Sequence, residues 1–76
     1  MAPRDTDGRE RIISEASRLF ATKGYDGVSM RELAEASGMT KAALYYHFEN
    51  KESLYFSAVQ SLLQQILLAL QGASSE

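Results

Sequence analysis

From Thr40 to Phe48 the chain reads TKAALYYHF, a run that sets one ammonium, two phenols and one imidazole around two alanines. Ammonium, hydroxyl and imidazole N–H groups are donors suited to phosphate oxygens and base edges, and an alanine methyl can touch a thymine methyl. On a helical wheel Leu44 and Phe48 point inward, which leaves Ala42, Ala43, Tyr45 and Tyr46 on the outward arc with Lys41 and His47 on its flanks. A helix over 40–48 makes a rod of roughly 13 Å, comparable to the ~12 Å width of a major groove. The same residues offer a catalytic reading, with His47 and Glu49 or Glu52 as base and orienter, but no nucleophile or phosphate-binding loop completes a site. A lone histidine or a tyrosine pair is more often half-buried packing than function, so the weight rests on the ordered set. No catalytic residue, metal ligand set or cofactor is expected, since the chain has no cysteine and a single histidine.

Holding such a helix against DNA requires a partner helix crossing at a steep angle, a small residue at the crossing and a glycine able to turn left-handed between the two. Ala34 and Gly38 supply these, and Leu33, Leu44 and Phe48 fill the crease. The caps agree. Ser29-Met30-Arg31-Glu32 is a capping box flanked by Val28 and Leu33 as a staple, and Ser37-Gly38 ends that helix after about two turns. Thr40 caps the next helix, which runs to about Phe48, and Asn50 caps another that Gly72 ends. Upstream, Asp7 and Glu10 form a capping-box variant that starts a first helix near Asp7. Its face is Ile12, Ile13, Ala16, Leu19 and Phe20, and its stop is Lys23-Gly24. Tyr25-Asp26-Gly27 is a turn, and residues 1–8 read as a loose arm. No strand signal or repeat interrupts this pattern.

Seventy-six residues make one small domain, and the formal net charge of −2 is unusual for a nucleic-acid binder. Local charge matters more: Lys41 is the only formal charge between Thr40 and Phe48, so phosphate does not repel that face. With Lys51 and Arg4 as the other candidate cations, binding by a single copy is expected to be weak and pairing of copies important. Charges in MAPRDTDGRE exclude a secretory signal, and a cytoplasmic protein is expected.

Residues 53–75 carry no charge, enough length for a bilayer span, but Ser57, Gln60, Ser61, Gln64 and Gln71 form a polar stripe that argues against it. The apolar residues fall in two sets: Tyr55, Val59, Leu62, Ile66 and Ala69, and Phe56, Leu63, Leu67 and Leu70. A three-helix core cannot cover both. A short coiled coil accounts for the excess, as does a further domain packed against this helix.

The chain resembles the amino-terminal domain of the TetR family of transcriptional regulators over about Arg9 to Val59. The matching features are LF-x-x-x-GY-x-x-x-S from Leu19 to Ser29, RELAEASG, and LYYHF followed by NKE at Leu44 to Glu52. The resemblance implies an all-α fold, a homeodomain-like three-helix core over 9–52 with its helix-turn-helix at 29–48, plus a fourth helix over 50–72 leading to a ligand-binding and dimerisation domain. It implies that Ser29, Thr40, Lys41, Ala42, Tyr45, Tyr46, His47 and Lys51 fall where the family touches double-stranded DNA. It further implies a homodimer on a palindromic operator and a small-molecule effector bound outside this segment. The other reading is a helical protein–protein interaction module that has lost DNA binding. Steep salt dependence and sensitivity to Lys41→Ala separate the two.

Overall fold

The structure is a computed structural model that describes residues 4–74, with side chains described from Gly8 to Gly72. It contains four helices: α1 (Arg4–Lys23), α2 (Met30–Ala36), α3 (Lys41–His47) and α4 (Lys51–Ser74). α1 packs along α4 and against α2, and α2 packs against α3.

The punctuation follows local chemistry. Ser29 Oγ accepts from the Glu32 amide at 3.1 Å, Thr40 Oγ1 from the Ala43 amide at 3.1 Å and Asn50 Oδ1 from the Ser53 amide at 2.8 Å. Each cap stabilises its helix by about 1 kcal/mol. The Ser29 box closes on one side only, because the Glu32 carboxylate pairs with Lys23. At the far end of α2, Met39 N–H donates to Ala34 O at 3.0 Å and Gly38 N–H to Glu35 O at 3.1 Å, the paired bonds of a Schellman motif. That geometry requires the left-handed φ of +69° found at Gly38. Gly27 is needed for a different reason: a Cβ there would lie 2.5 Å from the carbonyl oxygen of Lys23.

Two expected boundaries are corrected. α1 begins at Arg4, so 4–8 are helical rather than a loose arm and Asp7 lies within the helix, not at its cap; Met1 to Pro3 lie outside the described residues. A glycine inside a helix costs only about 1 kcal/mol, and Gly8 sits where α1 passes His47, whose Nε2 would be 3.3 Å from a Cβ. At the other end α4 continues through Gly72 to Ser74. A glycine ends a helix by turning left-handed, and among the glycines only Gly24 and Gly38 have positive φ.

The core is built from Ile12, Ala16, Leu19 and Phe20 of α1, Val28, Leu33 and Ala34 of α2, Leu44, Phe48, and Leu54 and Ala58 of α4. Ile13 is half-buried against it. Beyond Ala58 the apolar side chains of α4 are exposed, from Val59 at 37% to Leu68 and Leu70 at 60%. From Lys51 to Gly72 this helix is long and apolar enough to cross a bilayer. Its first turns, however, are fixed in the core through Leu54 and Ala58.

Ser37, at the end of α2, is buried, and its hydroxyl has no partner among the described residues. Its backbone is ordinary right-handed, which alanine adopts freely. Ser37→Ala is therefore expected to raise stability by about 1 kcal/mol, or roughly 4–8 °C in a thermal melt. A lowered melting temperature would show that the hydroxyl is satisfied.

Candidate nucleic-acid interface

α3 is seven residues long: Thr40 is its cap, as its spacing predicts, and the helix stops one residue short of the expected end because Phe48 leaves it in extended geometry. Its axial length is about 10 Å, still a fit to the width of a major groove. Leu44 is fully buried and Phe48 nearly so, and together they seat the helix on α2 and α1. The Arg9 guanidinium lies 4.8 Å over the Phe48 ring and covers it from α1.

Seating α3 through Leu44 turns the opposite face to solvent. Lys41, Ala42, Tyr45 and Tyr46 are exposed, with Tyr46 the most open of the tyrosines at 74%, and Ala43 is half-buried. Lys41 forms no ion pair among the described residues. His47 is half-buried, its ring edge-on to Tyr46 at 5.2 Å and its Nε2 against Gly8. It therefore packs between α1 and α3 while keeping part of its ring accessible. Ser29 and Thr40 are exposed and accept cap bonds through their side-chain oxygens, so each O–H proton is left to donate outward.

Lys51 is placed differently from the others. Its ammonium donates to the carbonyls of Tyr25 and Val28, each at 2.9 Å, and lies 4.3 Å from the centroid of the Tyr25 ring. Leu33 and Ala34 are buried in one cluster with Leu44 and Phe48, and Gly38, with its left-handed φ, makes the turn.

Two cations beside the motif escaped the sequence reading. Arg31, in the first turn of α2, has a side chain 78% exposed and stands 3.6 Å from Glu35. Arg11 of α1 brings Nη1 to within 3.9 Å of where a Cβ on Gly38 would lie. The i, i+4 spacing of Arg31 and Glu35 was readable; the approach of Arg11 to the turn is a tertiary contact with no local signal.

Two short capped helices packed on each other with Ala34 buried, a left-handed glycine between them and an outward-facing second helix make this a helix-turn-helix domain. Residues 12–58 match the family model of bacterial regulatory proteins of the tetR family. The chain belongs to the TetR family. It is 37% identical over 70 residues to IcaR of Staphylococcus aureus strain Newman, the negative transcriptional regulator of the biofilm operon icaADBC, covering 88% of this chain and 38% of that protein. IcaR of Staphylococcus epidermidis is 40% identical over 53 residues, or 70% of this chain and 29% of that one. Among solved structures, a protein of Mesorhizobium loti assigned to the TetR-family regulators superposes with a TM-score of 0.83 at 38% identity, over 86% of this chain and 32% of its own. AibR in its apo form superposes at 0.60 with 50% identity, over 66% of this chain and 27% of its own. The chain thus spans 38% of the length of the S. aureus IcaR it matches.

Proposed function

We propose that this chain is the DNA-reading domain of a transcriptional repressor that lays α3 into the major groove of an operator. The observation that carries this is the division of α3, in which Leu44 is sealed in the core while Lys41, Ala42, Tyr45 and Tyr46 stand exposed on a rod of groove width. In this reading Lys41 reaches a guanine edge or a phosphate, and Ala42 and Ala43 let the helix sit close to the bases. The hydroxyls of Ser29, Thr40, Tyr45 and Tyr46, with His47, donate to phosphates on either side and set the register. Arg31 adds a cation at the start of α2. Family membership and the negative regulation named for IcaR support repression as the outcome.

The protein acts in the cytoplasm as a homodimer, paired through a carboxy-terminal domain of a longer chain, where a small-molecule effector also binds. Two copies related by a twofold axis favour a palindrome with half-sites about 34 Å apart or close to it. Selection of duplexes from a random library at two salt concentrations tests this. Enrichment of one palindromic motif is the expected result; recovery of unrelated sequences at both concentrations would overturn it.

A further inference from the structure

We propose that Lys51 is a positioning residue for DNA reading, a clamp that fixes the start of α2 to the start of α4, and not a phosphate contact. Lys51 is the first residue of α4, and its side chain is half-buried. An ammonium has three N–H donors and no acceptor. Here two are taken by the carbonyls of Tyr25 and Val28, both at 2.9 Å, and the charge rests against the Tyr25 ring at 4.3 Å. Charge-assisted bonds of this kind are about twice as strong as neutral ones, so turning the ammonium outward to a phosphate would forfeit both and leave the Tyr25 carbonyl only its 3.5 Å bond from the Val28 amide.

The two carbonyls bracket the turn that delivers Ser29, the cap of α2. Tyr25 is itself held, stacked on Phe20 of α1 at 5.9 Å and edge-on to Tyr55 of α4 at 5.0 Å. Phe20 and Tyr55 also meet edge-on at 5.0 Å, which closes a three-ring cluster on the far side of the turn. One ammonium therefore ties together the end of α1, the start of α2 and the start of α4. The position and direction of α4 are passed to Ser29, and through α2 to the seat of α3, by this link. The proposal rests on the DNA-reading function above for its consequence, and on the bonds alone for its existence.

The test is Lys51→Met, with Lys51→Arg beside it, in the whole protein. Two readouts are taken: hydrogen exchange at the amides of Gly27, Val28 and Glu32, which are bonded within the clamped turn and the α2 cap, and the salt dependence of affinity for the preferred duplex. A clamp predicts exchange at least about tenfold faster in Lys51→Met, partly restored in Lys51→Arg. It also predicts an affinity several-fold lower at every salt concentration, with an unchanged slope of log K against log salt. A phosphate contact would instead lower that slope by about 0.9 for each subunit and leave exchange as it was, which would overturn the proposal. If no duplex is preferred, the DNA-reading function fails while the exchange result still decides whether the clamp exists. Should Lys51→Met fail to fold, Lys51→Gln is held to the same criteria.

Discussion

Leu44→Ala is expected to cost about 2–5 kcal/mol of stability, a large share of the roughly 4–11 kcal/mol that a chain of this length has in total. Leu44 is 0% exposed and is the only residue within α3 that is fully buried. It belongs to the one buried cluster that residues of α1, α2 and α4 share, so truncation leaves a cavity inside that cluster. Such a small domain has few other contacts with which to collapse the void. The loss should lower the melting temperature by at least about 8 °C and, because α3 is seated mainly through this residue, abolish DNA binding near the new midpoint. A circular-dichroism melt checks it; a midpoint within about 2 °C of the wild type would mean that α3 is anchored elsewhere.

Lys41→Ala is expected to do the reverse, leaving the fold intact and weakening recognition. Lys41 is exposed, has no ion pair among the described residues and opens α3. A cation at a helix amino terminus opposes the macrodipole, and alanine is the better helix former, so the substitution is neutral or slightly stabilising. A residue that is locally unfavourable for the fold yet placed on the outward arc fits a role in binding. Removing it should lower affinity for the preferred duplex by about tenfold to a hundredfold and relax the preference at one base position. Fluorescence anisotropy with the preferred duplex and its single-base variants measures both effects. An unchanged affinity would remove Lys41 from the interface.

Much of this architecture was readable because it is local. Ser29, Thr40 and Asn50 cap helices within three residues of themselves, and Gly24 and Gly38 turn left-handed where a helix must stop. The inward pair Leu44 and Phe48 followed from helical spacing, and the outward arc followed from the inward pair. What was missed joins residues far apart in sequence. α4 carries two apolar sets beside its polar stripe, so its periodicity could not single out Leu54 and Ala58, which are the residues it buries in the core. The ring cluster of Phe20, Tyr25 and Tyr55 and the bonds of Lys51 to Tyr25 and Val28 span loops that no short pattern encodes. The capping-box variant at Asp7 and Glu10 predicts a start near Asp7, whereas α1 begins at Arg4 and passes His47 at Gly8. The resemblance to the TetR family placed Lys51 among the DNA contacts, whereas its bonds turn it toward the fold.

Whether α3 reads sequence decides the function of this domain. Its most direct test is the affinity of the protein for its selected duplex and for a shuffled duplex of equal length and composition, each measured at two salt concentrations. Sequence reading predicts that both affinities fall steeply as salt rises and that the selected duplex is held roughly a thousandfold or more tightly. Equal affinity for the two duplexes at both concentrations would contradict it.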